Sequence, residues 1–341
     1  MVHLRIVVPS YQAEHALDLL NSTPSVANLI YLERAARRPE GDVILCDVAR
    51  EDASVIISDL RELNIDHEGS IALEMIDSQV SDSAIAAEKA AAGMPSDAVV
   101  WEEVESRTSE NVELSASFLA FMVLAMLIAM VGILTDQLIL IIGAMIVGPE
   151  FGPIAGLCVA AVQRRRHLFK RSLAALAVGF PLGVTITFLV ALFINAVVAV
   201  PGDFSQQGHP FTQFISAPNG WSFVVAYLAG MAGVLSLTST KSGALIGVLI
   251  SVTTIPAAAN IGVAAALGDW HEWVGAIEQL SLNLTAILLA GIGTLFIQRR
   301  LYVRRRLAHL HDESREAGGL PLGESRRGRP AARAGGQASR L

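Results

Sequence analysis

Gly143-Ala144-Met145-Ile146-Val147-Gly148-Pro149-Glu150-Phe151-Gly152-Pro153 sets two prolines, three glycines and one carboxylate inside an apolar segment long enough to cross a membrane. Lipid offers backbone N–H and C=O groups no water, so a broken helix at membrane depth survives only where protein or a wet cavity covers it. An ionisable side chain at that depth is a candidate functional group by default. A second Gly/Pro-interrupted segment, Gly243–Gly262, follows about a hundred residues on. Paired interruptions are the pattern of transporters whose site lies between two repeats.

Outward from that run, apolar stretches at Ser115–Leu134, Leu138–Val162, Ser172–Val200, Trp221–Thr238, Ser242–Leu267 and Leu280–Ile297 predict six spans, a membrane domain over 115–298. Arg164, Arg165, Arg166, Lys170 and Arg171 lie between the second and third spans. Lys241 lies between the fourth and fifth, and Arg299, Arg300, Arg304, Arg305 and Arg306 follow the sixth. The other three connections, Asp136-Gln137, Pro201–Gly220 and Gly268–Gln279, hold no Lys or Arg. This alternation predicts a multi-pass protein of the bacterial inner membrane with both termini cytoplasmic. Trp221, Trp270 and Trp273 fall near the outer boundary, where an aromatic belt is expected.

The whole chain of 341 residues is 52% hydrophobic, but its charge is segregated. Residues 1–114 carry 22 Asp and Glu against 8 Lys and Arg, about −14; residues 115–341 carry 10 against 17, about +7. An acidic soluble part therefore precedes a basic membrane part, and the acidic part argues against nucleic acid as a partner. The first 114 residues have no basic stretch followed by an apolar one, so no signal peptide is expected. Cys46 and Cys158 are the only cysteines; one falls in an expected soluble strand and the other in a span, so neither a disulfide nor a zinc site is expected.

Residues 1–78 alternate periods cleanly. Leu4–Pro9, Val26–Leu32, Val43–Val48 and Ile71–Ile76 read as strands, with a turn at Arg37–Asp42. Ala13–Asn21 and Glu51–Leu63 have helical spacing, the second with Asp52 as its expected N-cap. The order βαββαβ predicts a cytoplasmic α+β domain of ferredoxin-like form. Residues 79–114 read as a helical linker, with helices at Ser81–Gly93 and Asp97–Glu113 and with Trp101, Val104 and Val112 as the apolar positions of the second. The basic segment 299–341 reads as a largely disordered cytoplasmic tail from Asp312 onward, solvated or touching anionic headgroups.

Six spans divide into three and three, so a repeat would be inverted. Gly143-Ala144-Met145-Ile146 matches Gly243-Ala244-Leu245-Ile246, and each precedes a proline and a run of small residues. Chance similarity among small apolar residues is the alternative. Gly143-Ala144-Met145, Gly148–Pro153 and Gly243–Pro256 together resemble the bacterial hydrophobic membrane-protein family known only as domain of unknown function 389. The resemblance covers the membrane part and, more loosely, the N-terminal domain. It implies the architecture and no substrate. Glu150 departs from a stretch that is apolar in many members, and Pro256-Ala257 stands where a double proline is common.

Glu150 sits about twelve residues from either end of its span, near the midplane at about 1.5 Å per residue. A lone carboxylate there costs about 2.5–3.5 kcal/mol to insert. No Lys or Arg falls near the midplane of any span. Hydroxyls, helix-break donors or a bound cation are its expected partners. The candidate solute- or ion-binding set is Pro149, Glu150, Gly152, Pro153, Thr253, Thr254, Pro256 and Asn260; Asn195 and Asn283 are further polar groups within spans. The bland alternative is a neutral Glu150 bonded to carbonyls freed by Pro153, with the other polar side chains joining helices. Lys241, among Ser236, Thr238, Ser239, Thr240 and Ser242, reads as a topology marker or as an anion-attracting group. Gly152/Gly156, Gly179/Gly183 and Gly243/Gly247 permit close helix approach, within one chain or in a homo-oligomer. His3, His15 and His67 read as surface residues.

No Walker loop, GxGxxG or nucleophile elbow is present, so no enzyme, cofactor or metal is expected. The reading is of a secondary transporter or channel-like protein for an unknown small solute or ion, embedded in the bilayer. The alternative is a membrane-anchored sensor or scaffold whose cytoplasmic domain binds a small ligand or a protein.

Overall fold

The computed structural model describes residues 1–76, 78–91, 93, 98–198, 215–239 and 253–325. These form two compact units, Met1–Glu103 with Arg300–Leu341, and Val104–Arg299.

The first unit is built on β1 (Val2–Val8), α1 (Ala13–Asn21), β2 (Val26–Arg37), β3 (Glu40–Val48), α2 (Arg50–Glu62), α3 (Ile65–Glu68) and β4 (Ser70–Met75). The sheet order is β2-β3-β1-β4, with every neighbouring pair antiparallel. Each βαβ unit is therefore split by one inserted strand, as the element order leads one to expect. Alternation decides the faces: Val2, Leu4, Ile6 and Val8 of β1 point into a core shared with Ile44 and Cys46 of β3, Leu19 and Leu20 of α1, and Ile56, Ile57 and Leu60 of α2. Each such Leu or Ile contributes about 1.5–3 kcal/mol by leaving water.

Three expectations need correction here. β2 and β3 run on past the core, pairing Ala36 with Gly41 and Arg37 with Glu40, so the connection is tighter than a turn over Arg37–Asp42. Ala49, not Asp52, is the N-cap of α2, with no side-chain bond; Asp52 lies in the first turn, where an acid still favours the helix dipole. Residues 312–325 are not a solvated tail. Arg315, in a short helix at Glu313–Ala317, is fully buried, and Leu320 joins the core. Arg315 pairs with Asp59 and, at 2.9 Å, with Glu62; Arg306 lies 2.6 Å from Glu62 and His309 Nε2 2.7 Å from Asp59. Burial of so many charges is tolerable only because they are paired. The remainder of the expected tail, 326–341, lies outside the described residues.

Within the expected linker, α4 (Asp82–Ala90) is capped by Ser81, whose hydroxyl accepts from the Ala84 N–H at 3.3 Å. The second linker helix, α5 (Trp101–Asn111), buries Trp101, Val104 and Thr108 on one stripe. The division between the units falls inside it, after Glu103.

The second unit is helical: α6 (Ala116–Leu134), α7 (Leu138–Val147), α8 (Phe151–Gln163), α9 (Arg166–Val198), α10 (Gly220–Thr238), α11 (Thr254–Leu267) and α12 (Trp270–His309), the last reaching into the first unit from Arg300. Among the described residues, four helices, α6, α9, α10 and α12, are long and apolar enough to cross a membrane; α7 and α8 pass the same test only as a pair bent by 50°. α11 has 14 residues, and Ser242–Val252 of the stretch expected to precede it lies outside the described residues, as do Lys241, Gly243–Ile246 and Gly247. α9 and α12 extend beyond the expected spans, taking Arg166, Lys170, Arg171, Trp270 and Trp273 into helices where loops were expected.

Small residues set the packing. A side chain at Gly179 or Gly183 of α9 would meet Phe118, Met122 or Met126 of α6. One at Gly262 of α11 would meet the backbone of α9 at Val184 and Phe188. Gly152 and Gly156 of α8 are covered within the chain, by Asn111 and by Val112 and Ser172. Glu105–Arg165 at 3.0 Å and Glu113–Arg171 at 3.3 Å join the end of the linker to the α8–α9 corner.

Candidate functional site

α7 ends at Gly148, whose N–H donates to the Ala144 carbonyl at 3.0 Å. Pro149 and Pro153 have no N–H, so no continuous helical ladder can run through this point. α8 restarts with Glu150 as its N-cap and Pro153 at its third position. α11 starts the same way, with Thr253 as N-cap and Pro256 at its third position. Proline at the third position is tolerated because the N–H groups of a helix's first turn have no partner within it. The two interrupted segments thus share one local construction.

The two starts meet through a side-chain bond. Thr254 Oγ1 donates to Glu150 Oε1 at 2.8 Å, with Thr254 fully buried and Glu150 only 3% exposed. Glu150 Oε2 is buried and accepts no hydrogen bond among the described residues. A buried acceptor left so costs about 1–3 kcal/mol, a penalty that a proton, a cation or a solute donor would remove. Gly148 makes room for this carboxylate: a Cβ there would overlap Glu150 Oε2 and lie 2.7 Å from the Ile255 side chain. Space, rather than backbone freedom, is what the glycine supplies.

The chain of polar groups continues from the neighbouring residue. Asn283 Nδ2 donates to Thr253 Oγ1 at 2.7 Å, and Gln279 Nε2 donates to Asn283 Oδ1 at 3.2 Å. Gln279 Oε1 is a second buried acceptor with no partner among the described residues. On the far side of the break, Gly148, Pro149, Phe151, Gly152 and Ala155 line a cavity of about 240 Å³ together with Thr108, Asn111 and Leu237. Gly152 faces the Asn111 carbonyl, where a Cβ would come within 2.8 Å of the oxygen.

Of the eight expected residues, Glu150 and Thr254 are joined directly and Thr253 adjoins them through the backbone. Pro149, Gly152, Pro153 and Pro256 shape the two starts. Asn260 is directed elsewhere, donating to Glu272 Oε2 at 3.2 Å. Asn195 makes none of these bonds. Gln279 and Glu272 were missed because both fell in a stretch expected to be a loop. The signal lay in the spacing Glu272, Ala276, Gln279, Asn283 and Ala286, one face of a helix that begins ten residues earlier than its apolar part.

Residues 145–289 match the family model described as "Domain of unknown function (DUF389)". The apolar helices are of membrane type, and it is the segment 145–289, less than half of the chain, that fits this family. The matched segment contains every residue of the polar chain just described. An uncharacterized protein of Methanocaldococcus jannaschii is 25% identical over 194 residues, which are 57% of this chain and 58% of that relative, less than two thirds of its length. No solved structure matches.

Proposed function

We propose that this chain is a secondary transporter or channel-like membrane protein, with Glu150 as the group that takes up a proton or small cation where two broken helices meet. One observation carries the reading: a buried carboxylate with a donor on one oxygen and none on the other, held between the first turns of α8 and α11. Helix starts are electropositive and stabilise a carboxylate without a fixed counter-charge, which leaves it free to exchange a mobile one. Gln279 and Asn283 extend the polar lining from α12.

The finer topology belongs to the same proposal. Six spans in an inverted three-plus-three repeat account for the Lys and Arg alternation and for the shared offset of Pro153 and Pro256 from their helix starts. The protein then sits in a cell membrane with both termini cytoplasmic and moves a small solute or ion rather than transforming it.

The test is proton uptake into sealed vesicles after a pH step. Wild type is expected to take up protons, and Glu150→Gln to insert normally and take up none. Equal uptake by the two proteins would remove Glu150 from the pathway.

A further inference from the structure

The first unit holds a cavity of about 560 Å³ that the transport reading does not use. It lies between the loop after α1, the start of α2 and the end of α4 on one side, and the C-terminal end of α12 with residues 311–314 on the other. Its titratable lining is three acids, Asp52, Asp312 and Glu313, with His309 and His311. Asp52 and Glu313 have no ion-pair partner among the described residues, whereas Asp312 is occupied by His309, 2.6 Å from its Nδ1. Two serines add a second kind of evidence. Ser25 is 3% and Ser314 5% exposed, both line the cavity, and neither hydroxyl has a hydrogen-bond partner among the described residues. Each residue is buried while its hydroxyl stays open to the same space, so the two are placed to bond one ligand seated there.

The chemistry of that ligand follows from the lining. An anion would meet Asp52 and Glu313 and be repelled. A single metal ion is a poor fit, since no three His, Cys, Asp or Glu side chains among the described residues stand close enough to hold one. The carboxylates are dispersed around a volume far larger than one ion, with Pro24 and Ala90 supplying apolar wall between them. We propose that this cavity binds a small aliphatic di- or polyamine. Its ammonium groups donate to the Asp52 and Glu313 carboxylates and to the Ser25 and Ser314 hydroxyl oxygens, and its methylenes lie against Pro24 and Ala90. The site is a ligand-binding function of the soluble unit that stands whether or not the membrane unit transports.

Calorimetric titration of the full chain, held in discs of zwitterionic lipid, with spermidine tests this. Saturable binding is expected, weakened at least about tenfold in Asp52→Asn/Glu313→Gln, about 1.4 kcal/mol, with an unchanged melting temperature. Both substituted side chains lie outside the buried core, so that variant is expected to fold. Absence of saturable binding, binding that survives the double substitution, or saturable binding of inorganic phosphate in place of spermidine would overturn the proposal.

Discussion

Asp42, Asp47 and Asp59 of the first unit are treated differently from Glu150 of the second, although Glu51 of the first unit is also buried with no hydrogen-bond partner on either oxygen among the described residues. In the sheet unit, Asp42 accepts from Ser10 Oγ at 3.0 Å, from the Arg34 N–H at 2.8 Å and from the Tyr31 hydroxyl at 2.8 Å. Asp47 has Asn28 and Gln79 donating to one oxygen and His3 Nδ1 beside the other, each at 2.7 Å. Asp59 is surrounded by Arg315, Arg306 and His309. In the second unit, Glu150 has one side-chain donor among the described residues, Thr254, although it too is buried. Asp42, Asp47 and Asp59 are each held by several donors or cations, whereas the unpartnered Oε2 of Glu150 leaves room for one more, which is what the proposed exchange requires.

The contrast can be broken at either end. The largest stability effect is expected at Asp59: Asp59→Ala takes from buried Arg315 one of its two carboxylates and from His309 its buried partner, costing about 3–5 kcal/mol and read as a fall in the melting temperature of the full chain. Next comes Gly148→Val, which forces atoms into the space of the Glu150 carboxylate and Ile255 and is expected to cost about 1–3 kcal/mol or more. Gly143→Ala, where a Cβ meets nothing within 4 Å, should leave the melting temperature unchanged. Thr254→Val removes the Thr254 hydroxyl bond to Glu150 and is expected to cost about 1–3 kcal/mol, with Thr254→Ser restoring most of it.

A smaller effect is expected from acid. Burial pushes the Asp42 and Asp47 carboxyls up, but their donors more than offset this and hold both below the usual carboxylate range. Their contribution to stability is therefore present above the carboxylate range of the unfolded chain and is lost as pH falls through the lower folded values. Unfolding of the sheet unit, followed by hydrogen exchange of the β1 and β3 amides, should become easier with acid, and less steeply so in Asp42→Asn. An equally steep response in that variant would mean that Asp42 is not one of the saturated carboxylates that matter. Glu150→Gln sits at the bottom of this scale for stability, within about 1 kcal/mol of wild type, because the amide still accepts from Thr254 and carries no charge to bury.

Periodicity explains what was legible beforehand. The alternation of Val2, Leu4, Ile6 and Val8 and the spacing of Ala16, Leu19 and Leu20 depend on neighbours in the chain, so the sheet unit and its element order could be read. The break at Gly148–Glu150 was legible for the same reason, since proline and glycine act locally. The partners were not. Arg315 meets Asp59 across 256 positions and Thr254 meets Glu150 across 104, and no local pattern marks either pair. A polar residue such as Gln279 looks like loop until the helix around it is known to start at Trp270. Arg315 sat in a Gly- and Arg-rich stretch whose composition argued for a solvated tail, and the buried acids that hold it lie in a different element.

The proposal that Glu150 is an exchangeable group, unlike Asp42, Asp47 and Asp59, is tested most directly by infrared difference spectroscopy across a pH step on the full chain in lipid. The account predicts a protonated-carboxyl band that vanishes in Glu150→Gln and persists in Glu272→Gln. A spectrum unchanged by Glu150→Gln would contradict it and return Glu150 to a packing role.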